Sequence, residues 1–360
     1  MTEILAEVRG RIGCLTLHRP RALNALSLDM IRALDAQLGA WASDDQVLAV
    51  ALRGMGKESP FGVFCAGGDI RFFHQAAWAA DPRLGDFFTE EYRLNHRLHT
   101  YAKPVLAFMD GIVMGGGMGL AQGSSWRLAS ERTRMAMPET LIGLFPDVAG
   151  GYFLSRCPGR LGEYLGLTGQ SLDGAQALSC GLADQVLPSP LWPDLWQELM
   201  TRQWPTHEAL LDWLKGQSSS QPPIAMPERA LIDDVFALPS VLAMVLALEA
   251  RSDAFSQATA AALRQRSPLM LEVTLQQIRR ARNMSLADEL RMERDLVHHA
   301  FHARPVADSD TVEGIRALVV DKDQCPRWKP ERLESVDPAE VARWFESPWT
   351  PAGHPLRDLR

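Results

Sequence analysis

Apolar positions along the N-terminal half fall into two alternating rhythms. Ile12 to Leu17 and Val47 to Leu52 are short, nearly continuous apolar runs rich in β-branched residues, the pattern of buried strands. Between them Leu28, Ile31, Leu34, Leu38 and Trp41 recur at helical spacing behind Ser27, a residue suited to cap a helix N-terminus. The alternation continues with a helix presenting Leu94, Leu98 and Tyr101 on one face, a strand over Pro104 to Phe108 and a short strand over Arg134 to Met137. Strand, helix, strand in repetition predicts an α/β architecture.

Asp173 to Cys180 reads as a helix with an Asp cap and Gly181 just past its end, followed by an extended Asp184 to Leu187. GQSSSQPPIAMP, residues 216–227, breaks the pattern as a linker. Beyond it the chain is mainly helical, notably over Val241 to Arg251 and Ser285 to Ala303, where Ser285 with Asp288 resembles a capping box. The tail from Lys329, rich in Pro, Trp and charge, is expected to pack irregularly. The expected organisation is a core over 1–215, the linker, and a mainly helical C-terminal region over 228–360, with no internal repeat.

Composition acts mostly by exclusion. With 360 residues, 46% of them hydrophobic, the chain has ample material for a core. A net charge of −7 without a long basic run argues against nucleic acid as the main partner. Cys14, Cys65, Cys157, Cys180 and Cys325 are odd in number, widely spaced and free of CxxC pairs, which points to neither a disulfide framework nor a thiolate zinc site and fits a reducing compartment. Glu3 and Glu7 occupy the start where a secretory signal needs basic and then apolar residues, and no run reaches transmembrane length. A cytoplasmic protein without a membrane partner is expected.

Three segments carry candidate chemistry. MGGGMGL, residues 114–120, follows a predicted strand; its glycines let the backbone approach a ligand, unless they form only a tightly packed turn. The spacing is not G-x-G-x-x-G, which weakens a dinucleotide fold. FCAGGDI, residues 64–70, can present a backbone N–H at its bend, half of an oxyanion hole, or be a plain turn with Asp69 near a helix start. MPETLIGLFPDVAGGYF, residues 137–153, sets Glu139 and Asp147 among apolar residues. Either Glu139 occupies a first helical turn after Pro138 and Asp147 caps a helix over Val148 to Arg156, or an apolar site tunes both carboxyls for proton transfer. No G-x-S-x-G elbow or HExxH pattern occurs, and His96, His99, His298, His299 and His302 give metal catalysis little support.

Taken in order, HRPRALNALS (18–27), FCAGGDI, KPVLAFMDGIVMGGGMGL (103–120) and the Glu139/Asp147 segment resemble the enoyl-CoA hydratase/isomerase, or crotonase, superfamily. EEYRLN (90–95), SLADELRMERDL (285–296) and VVDKDQCPRWKP (319–330) are similar to its 3-hydroxyisobutyryl-CoA hydrolase branch. The resemblance implies a crotonase fold of repeated ββα units and an acyl-CoA substrate whose thioester oxygen meets the N–H groups of Gly68 and Gly116. It implies that Glu139 and Asp147 are catalytic, that Glu91 binds substrate, and that Arg21, Ala66 and Asp69 lie at CoA-contacting positions. Gly119 stands where hydratases carry one of two glutamates, and Asp147 where they commonly carry glycine. The implied reaction is hydrolysis of a β-hydroxyacyl-CoA thioester in valine breakdown, without metal or separate cofactor, coenzyme A being part of the substrate. A hydratase or isomerase of this fold, or a protein that binds CoA esters without turnover, are the alternatives, and a homo-oligomer is a possible assembly.

Overall fold

The computed structural model describes residues 3–217 and 226–360, so most of the expected 216–227 linker lies outside the described residues. Its strands are β1 (Ile4–Arg9), β2 (Ile12–Leu17), β3 (Ala49–Gly54), β4 (Val105–Met109), β5 (Ile112–Met114), β6 (Trp126–Ala129), β7 (Arg134–Ala136) and β8 (Gln185–Val186). A six-stranded sheet runs in the order β1-β2-β3-β4-β6-β8, and a two-stranded sheet pairs β5 with β7. β1 and β2 are antiparallel, while every other pair is parallel, with Leu15 of β2 opposite Leu52 of β3.

The β4–β5 and β6–β7 pairs show how repeated ββα units arise. In each, the first strand joins the large sheet and the second, after a short turn, joins the small one; helix Gly116–Gln122 then returns the chain from β5 to β6. β2 and β4 are buried throughout, as continuous apolar runs in a parallel sheet must be. The helix after β2 is Leu28–Ala42, and the Ser27 side chain accepts from Met30 N–H as its cap. β3 begins two residues later than its apolar run.

Two compact units emerge. One comprises Met1–Gly68, Arg93–Ala136 and Ser171–Ala225; the other comprises Asp69–Tyr92, Met137–Gln170 and Met226–Arg360. The expected division at 216–227 follows chain order, whereas the units follow burial, so two internal segments count with the C-terminal residues. In the first unit, Ile12, Ala49, Leu106 and Leu128 of the sheet share a core with Phe61, Phe108, Trp192 and Trp196. Phe108 meets Trp196 edge-on at 5.0 Å between ring centroids. The Asp173 cap and the left-handed Gly181 after helix Gly174–Ser179 form as expected, and the Gln176 side chain completes a capping box.

The second unit is helical. Helix Pro268–Ala281 packs on Gly150–Leu154 and Leu161–Thr168, and an aromatic cluster joins Phe73 to Phe87 at 4.7 Å and to Phe88 at 4.9 Å. Ser285 caps helix Leu286–His302 by accepting from Asp288 N–H at 3.1 Å. The tail is more regular than expected, since Asp337 caps a short helix, Pro338–Arg343. Cys14, Cys65, Cys157 and Cys180 are buried and Cys325 is exposed, all as free thiols. Among the described residues no helix is long and apolar enough to cross a membrane.

Candidate active site

The Glu139 segment is a single tight turn pinned on both sides. Pro138 leads into a 3-10 turn, Glu139–Ile142, which ends at Gly143 in the left-handed region (φ 65°). A Cβ on Gly143 would stand 2.4 Å from the Asp310 carbonyl oxygen, so glycine permits both the conformation and the approach. Thr311 donates its hydroxyl to Gly143 O at 2.6 Å, and Thr140 donates to Leu167 O at 3.1 Å. Glu139 is held there 6% exposed, with its Oε2 lacking a hydrogen-bond partner among the described residues.

Asp147 is not a helix cap. Val148 (φ 57°) and Ala149 (φ 68°) are both left-handed, and helix Gly150–Leu154 begins after Ala149 with no side-chain cap. The Asp147 carboxylate instead accepts the Tyr92 hydroxyl at 2.9 Å and is 6% exposed. Of the two readings open in the sequence, the apolar-site reading therefore describes Asp147. Non-glycine residues in this region cost of order 1–3 kcal/mol each, so surrounding contacts must hold them. Glu293 supplies those contacts, accepting from Ala149 N–H at 2.8 Å and Gly151 N–H at 3.2 Å. Gln277 donates to Glu293 Oε1 at 3.0 Å and to Pro146 O at 2.7 Å.

Glu91 comes from helix Arg83–His99 and is 2% exposed, which rules out a solvated helix face for it. Burial, and then the charges of Asp147 and Glu139, raise its proton affinity far above the ordinary glutamate value. Burial followed by the Asp147 charge does the same for Glu139. Asp147 is pushed by burial up to about 7, with the Tyr92 hydrogen bond opposing the rise. Burial raises all three carboxyls, and the Asp147 charge raises the two glutamates further, so the group holds protons that ordinary carboxylates would have lost, as acid–base catalysis asks. Among the described residues no three His, Cys, Asp or Glu side chains are placed to hold a metal ion.

In the other unit, the two glycine loops run side by side. Cys65 N–H donates to Ile112 O and Met114 N–H to Cys65 O, each at 2.9 Å. Gly67 has φ 109°, and a Cβ placed on it would lie 3.8 Å from Gly116 N. Gly116 opens helix Gly116–Gln122, so its N–H has no intrahelical acceptor. The cross-bonds of the strip use the Gly67 carbonyl and not the Gly68 N–H. Arg21 is exposed in the turn Pro20–Ala22, and Leu23 just after it accepts from Ala66 N–H at 3.0 Å, tying that turn to the Ala66 loop. Asp69, in the same unit as the three acids, caps helix Ile70–Ala79 by accepting from Phe72 N–H at 3.3 Å.

The structure thus gathers Glu91, Glu139 and Asp147 in one unit, and Gly68, Gly116, Arg21 and Ala66 in the other. Sequence reasoning passed over Tyr92, Gln277, Glu289 and Glu293. A signal existed for Glu293, which interrupts the apolar stripe Leu290, Val297, Ala300 at helical spacing and so had to face the interior.

Comparison with known proteins places this geometry. The family model described as enoyl-CoA hydratase/isomerase matches residues 12–345. A mitochondrial 3-hydroxyisobutyryl-CoA hydrolase of Xenopus tropicalis is 40% identical, over 96% of this chain and 89% of its own. 3-Hydroxyisobutyryl-CoA hydrolase 1 of Arabidopsis thaliana is 39% identical, over 96% and 92%. Among solved structures, a carnitinyl-CoA dehydratase from Mycobacterium thermoresistibile superposes with a TM-score of 0.87 at 36% identity, covering 98% of both chains. An enoyl-CoA hydratase from Rhodobacter sphaeroides gives 0.82 at 35%, over 96% of this chain and 98% of that one. The fold is that of the crotonases, as expected. The cytoplasmic location expected from the sequence is corrected: the relatives from Xenopus tropicalis, Gallus gallus and Danio rerio are named mitochondrial.

Proposed function

We propose, from the premise that this chain belongs to the enoyl-CoA hydratase/isomerase (crotonase) family, that it hydrolyses the thioester of 3-hydroxyisobutyryl-CoA or a close β-hydroxyacyl-CoA to the free acid and CoA. One observation carries the reading: Glu139 and Asp147 are buried together with raised proton affinities, in a chain whose similar curated relatives bear the hydrolase name.

In this reading Glu139 is the base. It takes a proton from water as the oxygen attacks the thioester carbonyl, or attacks the carbonyl itself to give an anhydride that water opens. The carbonyl oxygen gathers negative charge, which the N–H groups of Gly68 and Gly116 receive. Removing one such donor in other enzymes costs about 3–4 kcal/mol of transition-state stabilisation. The C–S bond then breaks, and Asp147 passes a proton to the leaving thiolate, made good by the one the water gives up. Glu91 and Asp147 orient the substrate hydroxyl, while Arg21, Ala66 and Asp69 contact the CoA moiety. No cofactor enters, coenzyme A being part of the substrate. Valine breakdown is the pathway this reaction would serve.

A second reading, hydration of an enoyl-CoA double bond, is favoured by the names of the two solved structures. Gly119 weighs against it, because the resemblance places one of the two hydratase glutamates at that position. Purified protein should release free thiol from 3-hydroxyisobutyryl-CoA and leave crotonyl-CoA unhydrated; the reverse result would establish the hydratase reading.

A further inference from the structure

The loop that carries Asp147 is unfavourable on its own account. Two consecutive non-glycine residues, one of them β-branched, sit in the left-handed region between Asp147 and helix Gly150–Leu154. Such a turn points successive backbone N–H groups into one concavity, which suits an anion. Here the anion is a side chain of the same unit, because the Glu293 carboxylate receives both the Ala149 and Gly151 amides. Gln277 bridges this carboxylate to the carbonyl of Pro146, the residue just before Asp147. Amide and carbonyl contacts thus hold the loop on both sides of Asp147.

We propose that Glu293 is a positioning residue for Asp147, its carboxylate gathering the Ala149 and Gly151 amides to fix the left-handed turn from which Asp147 projects. The proposal rests on the hydrolase reading for its kinetic consequence only. Glu289 lies one turn earlier on the same buried helix face, and neither of its carboxyl oxygens has a hydrogen-bond partner among the described residues. Two desolvated carboxyls this close disfavour a second charge. Three N–H donors converge on the two Glu293 oxygens, so the charge resides there even though burial and Glu289 raise its proton affinity, and Glu289 holds the proton. The helix Leu286–His302 therefore presents an anion to the loop without presenting two. Glu293 touches neither substrate nor reacting atoms; it acts through the backbone on either side of the acid.

The test compares Glu293→Gln with Glu289→Gln. A glutamine at 289 keeps a neutral side chain of the same size there and should leave kcat and KM close to wild type. Glutamine at 293 turns an NH2 group or a weaker acceptor toward the loop amides; kcat should fall, up to roughly 10²-fold for a displacement near 1 Å, with KM little changed. In the same variant the Ala149 and Gly151 amides should exchange with solvent faster while the rest of the chain keeps its protection. The proposal is overturned by wild-type kcat in Glu293→Gln, or by equal losses in both variants with exchange accelerated throughout, since the pair would then only hold the fold together. If the wild-type protein releases no thiol at all, the hydrolase reading falls. Amide exchange in Glu293→Gln still decides the clamp in that event, and unchanged protection at Ala149 and Gly151 would refute it.

Discussion

Tyr92 donates its hydroxyl to the Asp147 carboxylate across 2.9 Å, with both groups buried in the same unit. The bond favours the anion, while burial favours the neutral acid; burial prevails, and Asp147 stands at about 7. Burial and the surrounding acids keep the Tyr92 hydroxyl protonated, so it remains a donor at any pH the enzyme meets. Tyr92 thus sets how readily Asp147 gives up its proton.

Tyr92→Phe removes that donor and leaves burial unopposed, so the pKa of Asp147 should rise. With Asp147 passing the proton to the thiolate, the step in kcat set by its titration near 7 should move to higher pH in the variant. A pH profile of kcat through the neutral range checks it; a profile unmoved by the substitution would remove Asp147 from proton transfer.

Glu139→Gln should lower kcat by roughly 10²–10⁴-fold, read as thiol release, because an amide cannot take the proton from water. The same variant should be the more stable protein above neutral pH. Folding raises the pKa of Glu139, so the native state binds more protons than the unfolded chain and wild-type stability falls as pH climbs from about 4.5 toward the folded value. The advantage of the variant over wild type should therefore widen by about 1.4 kcal/mol for each tenfold fall in proton concentration between those two values. Melting temperatures of the two proteins across pH measure it. A gap that stays constant would show that Glu139 is not desolvated as described.

Gly143→Ala should destabilise the protein by at least roughly 1–3 kcal/mol from the left-handed backbone alone. The new Cβ, 2.4 Å from Asp310 O, adds a clash with backbone that has little room to move. Thermal or denaturant unfolding measures the loss, and a loss of kcat should accompany it because Glu139 opens the same turn. Wild-type stability would mean the turn is not the rigid support described.

Isobutyryl-CoA, which lacks only the hydroxyl, should be hydrolysed with a kcat/KM lower by roughly 10⁴-fold, since buried carboxyls awaiting a hydroxyl would be left unpaired. Equal efficiency with both esters would detach Glu91 and Asp147 from hydroxyl recognition while leaving thioester hydrolysis intact.

Much of the scaffold was legible in local patterns. The apolar runs at β2 and β4, the Ser27 cap, the Asp173 cap with Gly181, and Ser285 before its helix all form where those signals stand. The acids Glu139 and Asp147 were legible as candidates from their apolar setting, and only the resemblance favoured a catalytic role over a helix cap. In isolation, an aspartate ahead of an apolar run carries the same signal whether it caps a helix or accepts from a tyrosine fifty-five positions away. The left-handed Val148 had no signal at all, because β-branched residues disfavour that region and the compensating carboxylate lies 144 positions beyond Ala149. Periodicity along one element says which side is buried; it does not say what a buried polar group meets there.

The glycine loops have a last consequence for how this protein tolerates change. The proposed donors at Gly68 and Gly116 are peptide N–H groups, which every substitution except proline preserves. A mutational scan would therefore register these loops through crowding, as at Gly117, where a Cβ would stand 2.4 Å from Cys65 O, and not through loss of a chemical function. Anion binding written into the path of the chain can persist while the carboxylates turn over. Lineages on this scaffold can then exchange one reaction for another by moving an acid from one loop to the next.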